Sequence, residues 1–408
     1  MLSEMHTAAT RRLRYLGINR LAAGQREWLL QVLAMTALAV LCVGGPGCKA
    51  LSAEPIVKDE TLPIAASGGD VTAQATQPIA RVIRRLRPRT GVMALAWSPD
   101  GKKLATMGGL QERITVWDPR TGRMLWEKVG DTGGGEALAF SNDGRLLLAP
   151  TAKAGPEDEH TILTLWDAAT GSIAGRVAGP FPNQGIAWNY ARRMALDREH
   201  GLMAVIAASD LGWPVAIYDT HDWMVKGTVA VEKEWPKIVA FGPGGALAVG
   251  MVGSKIALFD ARSRVFKLII DSRKSVHAIA FSPDGKYVAS GSGGVYATSG
   301  TGNVPDQIRI WSTVDGKLVR SYAGTRAGVE DLSWSPDGRY LASASYDRTI
   351  RLWPAWTDGE GQIVATFDRG GAWCVAFSPD GTLLAGGASQ DDAIVAEISS
   401  PALGSGRE

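Results

Sequence analysis

Five histidines, His6, His160, His200, His221 and His277, are the first residues to test for metal or acid–base chemistry. None has a second histidine or a cysteine at the spacing that holds zinc. No Gly-x-Ser-x-Gly elbow is present to carry a serine nucleophile. The stretch Pro156–His160 sets Glu157, Asp158 and Glu159 in a row, which reads as a solvated insertion rather than a cation loop. The glycine-rich run Ser290–Gly302 lacks the Lys-Ser/Thr ending of a phosphate cradle. Cys374 stands alone in the second half of the chain, inside an apolar run, and reads as a buried small side chain rather than a nucleophile. These residues point to no catalytic, cofactor or metal site. Carboxylates distant in sequence can still converge, so the elements that would position them decide the question.

Those elements repeat. Ser-Pro-Asp-Gly occurs at Ser98–Gly101, Ser282–Gly285, Ser335–Gly338 and Ser378–Gly381, with looser copies at Ser141–Gly144 and Gly242–Gly245. Each copy follows a short apolar run that ends in an aromatic: Trp97, Phe140, Phe241, Phe281, Trp334 or Phe377. A second mark follows, an alternating strand that ends in Trp117-Asp118, Trp166-Asp167, Tyr218-Asp219, Phe259-Asp260, Trp311, Trp353 or Ala396. Successive second marks lie 49, 52, 41, 52, 42 and 43 residues apart. Proline pre-sets φ in the turn, and glycine at its fourth position takes a positive φ. The first strand of each unit is almost wholly apolar, which suits a strand covered on both faces. Four strands in about 40–45 residues make the blade of a β-propeller. Unit three is degenerate; its turn is read at Arg198–Gly201, and Tyr218-Asp219 keeps it in phase.

From Ile79 to Ser399 the two motifs resemble the WD40 family. That resemblance implies an all-β fold: a seven-bladed β-propeller of four-stranded blades. It also implies closure by an N-terminal strand, for which Ile79–Leu86 is the candidate, because the last unit stops after its third strand. Closure removes exposed sheet edges. The family's Gly-His before the first strand is missing; Gly324 is followed by Thr325, and a turn Asp is clear only at Asp347. The expectation is a divergent propeller held more by apolar packing between blades than by polar tetrads.

The chain has 408 residues and a formal net charge of +2. Residues 1–48 carry five arginines against Glu4 and Glu27, which leaves the propeller near neutral and gives nucleic acid little footing as a partner. An Arg-rich head, the apolar run 28–43 and the small residues Gly44–Gly47 match an export segment that leaves the propeller beyond the membrane. Three fates are open: lipidation at Cys48 as in a bacterial lipoprotein, cleavage after Ala53, or an uncut anchor. Residues 49–78 read as a flexible linker, 79–399 as the propeller and 400–408 as a disordered tail.

Three long insertions, Pro150–His160, Gly179–Arg193 and Gly291–Gln307, would emerge on one rim, a pointer to the binding face. By the resemblance, partners are read on that face by residues at the start of each first strand: Met93, Glu136, Arg193 (with Arg192 one residue away in register), Trp235 with Lys237, His277, Glu330 and Trp373. The expected function is a non-enzymatic platform for a protein or peptide partner. It is expected as a monomeric propeller, membrane-tethered in the cell envelope, with no cofactor. A propeller enzyme, lactonase-like or metal-assisted, and a structural subunit of an envelope complex are the alternative readings.

Overall fold

The computed structural model describes residues 79–108, 113–129, 136–151, 161–179, 188–209, 214–229, 235–293, 307–357 and 361–399, with backbone alone at 188–192 and 207–209. These residues form seven four-stranded antiparallel sheets, each a blade. Blades 1 to 6 take consecutive strands and span 94–129, 139–178, 188–229, 236–271, 276–322 and 329–366. Blade 7 has three strands from 372–398 and takes its outer strand from the other end of the domain. The all-β, seven-bladed expectation holds.

Ring closure follows the expected course. Ala80–Leu86 lies antiparallel to Ala393–Ile398, with Ala80 opposite Ile398 and Leu86 opposite Ala393. Leu86 is fully buried among Trp97, Trp117 and Leu383, so the closing strand also seals the seam between blades 7 and 1. Residues 1–48, 49–78 and 400–408, expected as export segment, linker and tail, lie outside the described residues, as do most of the three insertions.

Burial explains the apolar runs. The second strands Leu104–Gly108 and Leu383–Ala388 are buried at every residue, because a blade is covered on both faces by its neighbours. Fourth strands face solvent; Met124–Val129 buries only Trp126. Turn chemistry explains the repeats. In five turns the serine hydroxyl (Ser98, Ser141, Ser282, Ser335, Ser378) donates to the aspartate two residues on at 2.6 Å. The Ser98 hydroxyl thereby holds the Asp100 carboxyl below its ordinary range. The turn also joins blades. A methyl group at Gly144 would lie 3.2 Å from Cδ of Pro99 in the preceding blade, and Gly381 stands in the same relation to Pro336.

Blade 3 solves its turn differently. Asp197 stands where those five have serine, and its Oδ1 accepts the Glu199 and His200 N–H groups at 3.0 and 3.2 Å. The turn between third and fourth strands shows a second departure. Blades 1, 2 and 5 place glycine at its positive-φ position (Gly122, Gly171, Gly316), whereas blades 3 and 4 place Trp223 (φ 58°) and Arg264 (φ 59°) there. A side chain in that conformation costs about 1 kcal/mol relative to glycine.

Candidate functional site

The innermost strands of successive blades touch one another around the ring and line its centre. In blades 4, 5, 6 and 7 the pairing of this strand slips by one residue near its start. The slip falls between Pro236 and Ile238, Val276 and Ala278, Val329 and Asp331, and Ala372 and Cys374. The residues left at these bulges are Lys237, His277, Glu330 and Trp373. In blade 1 the Met93 N–H bonds the carbonyl of Met107, which already faces Ala94. A bulge bends the strand and re-aims one side chain, here once in each of blades 4 to 7 at the mouth of the channel. In blade 3 the slip falls between Ala191 and Arg193, so residue 192 holds the equivalent place and Arg193 is one step beyond.

The mouth residues pair across blades. Arg193 Nη2 lies 2.6 Å from Glu136 Oε2, with both side chains less than one-fifth exposed. His277 Nδ1 lies 2.9 Å from Glu330 Oε1, and Lys237 Nζ approaches the same imidazole at 2.6 Å. Glu136 is thus paired with Arg193 and Glu330 with His277, the cations Arg193 and Lys237 stand on adjacent blades, and each of these five groups has a partner. Two aromatics divide. Trp373 packs edge-on against Tyr346, ring centroids 5.2 Å apart, and its indole nitrogen is buried without a partner among the described residues. Trp235, one residue before its strand, is 56% exposed.

Two neighbours of this ring escaped the sequence analysis. Asp331 is half-buried and accepts the Val375 N–H of blade 7 at 2.9 Å. Burial pushes its carboxyl up to about 6, against the pull of that hydrogen bond and of Arg193. An acid inside the otherwise strand-like Val329–Trp334 was the available signal. Burial likewise raises the Tyr346 hydroxyl, with Glu330 and Glu136 adding to the effect. Burial also pushes the Cys374 thiol well above its ordinary range, which suits a packing role. Among the described residues no group of three or more His, Cys, Asp or Glu is placed to hold a metal ion. The arrangement can offer charge, hydrogen bonds and an exposed indole to a surface docked over it.

Comparison with known proteins agrees with this architecture. The model of the WD domain, G-beta repeat, matches residues 81–118, 265–295, 316–354 and 361–395. The ribosome biogenesis protein WDR12 homolog of Nematostella vectensis is 33% identical over 136 residues, 32% of this chain and 30% of that protein. WD repeat-containing protein 1 of Gallus gallus is 32% identical over 128 residues, 30% of this chain and 19% of that protein. Telomerase protein component 1 of Mus musculus is 25% identical over 317 residues, 76% of this chain but 11% of that protein. In each case the similarity spans less than a third of the relative's own length. The chain is thus a seven-bladed β-propeller closed by an N-terminal strand, with WD40 repeats matched at four stretches of it.

Proposed function

We propose that the chain is a non-enzymatic interaction platform, and that a protein or peptide partner docks on the channel mouth. One observation carries this reading: the innermost strands spend a bulge on aiming side chains of mixed charge at a single rim. Bulges weaken local pairing and persist where they place a side chain for use. Trp235 is the anchor on this reading, since it is an exposed aromatic two residues before Lys237, which approaches His277. Trp373, packed on Tyr346, supports the surface from beneath.

Partner capture by the full-length chain from membrane extracts, with Trp235→Ala alongside, tests the proposal. Truncating a contact anchor costs about 2 kcal/mol, roughly thirtyfold in affinity. The expected result is lost capture with unchanged melting. Capture that survives Trp235→Ala together with Lys237→Ala removes the mouth of blade 4 from the interface.

The setting is proposed from residues 1–48: a propeller tethered on the outer side of a membrane, with Cys48 as the lipidation site. Protease added outside the membrane is then expected to reach the propeller, and Cys48→Ala to abolish lipid labelling. A cytosolic chain refutes the location, and labelling that survives the substitution refutes the site.

A further inference from the structure

The face opposite the channel mouth carries the turns between first and second and between third and fourth strands. Between blades 3 and 4 on this face lies a cleft of about 500 Å³, within the size range of small-molecule sites. Its floor is apolar, made by Leu202, Ile217 and Ala261, and its walls are His200, Lys226, Arg262 and Arg264. No carboxylate is among the lining residues.

The equivalent seam between blades 7 and 1 shows what is unusual. There Arg120, at the same turn position as Arg262, reaches back to the preceding blade's Ser-Pro-Asp-Gly turn, 3.9 Å from Asp380 Oδ2 and 3.4 Å from Thr382 Oγ1. In blade 3 the corresponding carboxylate is Glu199, and its Oε2 accepts the Gly244 N–H at 3.1 Å. Arg262 therefore has no carboxylate partner among the described residues, and its stem lies over Gly245. His200 lines the cleft, its Nδ1 2.8 Å from the buried Asp197 carboxylate and its Nε2 3.9 Å from Glu199. Lys226 is committed to Asp219 and Asp222 at 3.3 and 3.7 Å.

Arg264 is held in place at a conformational cost. It occupies the positive-φ position that blades 1, 2 and 5 give to glycine. One of its nitrogens donates to the Lys226 carbonyl. Gly227 makes room for it, since a Cβ there would collide with the guanidinium. The other guanidinium donors remain for the cleft.

We propose that this cleft binds a phosphate group, with Arg262 and Arg264 as its forked donors and His200 as a third, ring-oriented contact. Planar guanidinium forks match phosphate oxygens, and two of them suit a dianion better than a single carboxylate. The apolar floor would take the uncharged body that carries the phosphate.

Calorimetric titration of the full-length chain with inorganic pyrophosphate tests this. Binding is expected, weakened at least tenfold by Arg262→Gln, whose side chain holds no hydrogen bond of the fold. Arg264→Gly should weaken it equally while leaving melting unchanged or raised, because glycine fits φ 59°. Should Arg264→Gly fail to fold, Arg262→Gln decides alone. Vesicles of phosphatidylcholine with and without phosphatidic acid separate the sources. Retention on the acidic vesicles that Arg262→Gln abolishes assigns a lipid headgroup; pyrophosphate binding without it assigns a soluble phosphorylated compound. Absence of both, or binding indifferent to both substitutions, overturns the proposal.

Discussion

Blades 1, 5 and 6 tie their third strand to their second through one side-chain hydrogen bond, and blades 2, 3 and 4 do without it. In the first group the indole N–H groups of Trp117, Trp311 and Trp353 donate to Thr106, Ser290 and Ser343, each at 2.9 Å. In blade 2, Ala149 occupies the hydroxyl position, and Trp166 Nε1 is buried with no partner among the described residues. Blades 3 and 4 place Val205 and Val249 there, under Tyr218 and Phe259. Tyr218 donates instead to the Ala178 carbonyl of blade 2. The repeat-model matches fall on the first group and on blade 7, and leave residues 119–264, which hold most of blades 2, 3 and 4, unmatched. Yet the strand pairing and burial of the two groups are alike. The recognisable residues therefore decorate a fold whose cohesion comes from apolar strands sandwiched between neighbours, and relaxing them frees positions such as His200 and Arg264 for other uses.

If cohesion lies in the sandwich, removing a strand is the most damaging change. Deleting residues 79–88 leaves Ala393–Ile398 as a bare edge and uncovers Trp97 and Trp117. Loss of cooperative melting for the whole propeller is expected, while deleting 49–75 leaves it intact. Equal melting temperatures for the two truncations would show that the closing strand contributes nothing.

The next largest effect tests the seam between blades 6 and 7. Asp331 has its carboxyl raised from 3.8 to about 6, so the folded state binds the proton more tightly than the unfolded state. Its contribution is then fully present at low pH and is lost as pH rises from about 4 through 6, a change of at most about 3 kcal/mol. Denaturant titrations across pH 4–7 should show this slope in the wild type and a flattened one in Asp331→Asn. An identical pH profile in the variant sinks the assignment.

The hydroxyl bond itself is smaller. Trp353→Phe leaves Ser343 buried without its donor, whereas Trp166→Phe deletes a donor that already lacks a partner. Both lose the same volume, so the difference reads the bond, and Trp353→Phe should cost about 1–2 kcal/mol more. Comparable losses would erase the distinction between the two groups of blades. The smallest effect is a gain. Ala149→Ser offers Trp166 the acceptor that blade 1 has in Thr106, and should stabilise by about 0.5–1 kcal/mol in equilibrium unfolding. A loss of stability there would mean that blade 2 has repacked around its alanine.

Much of the mouth was legible because register counts reliably inside a blade. Four residues back from the aromatic before each turn reaches Glu330, His277 and Trp373, and the bulges fall at those places. The same count in blade 3 is ambiguous by one, since Asp197 replaces the serine that marks the turn in five other blades. Trp373 sits at the counted bulge position and leans on Tyr346 of the adjoining blade, whereas Trp235 precedes its strand by one residue and is exposed.

What the amino-acid order determined alone is the periodic part: four strands per unit, the Ser-Asp turns, seven units and the borrowed strand that closes them. These depend on alternation, turn chemistry and neighbours close in sequence, which a linear reading contains. Only the tertiary structure decided the pairs across blades. Glu136 with Arg193, His277 with Glu330, the half-buried Asp331 against blade 7, and the cleft between blades 3 and 4 join groups that lie tens of residues apart. Their partners are set by how the ring brings one blade's first strand and turns against the next, and no short-range pattern encodes that contact.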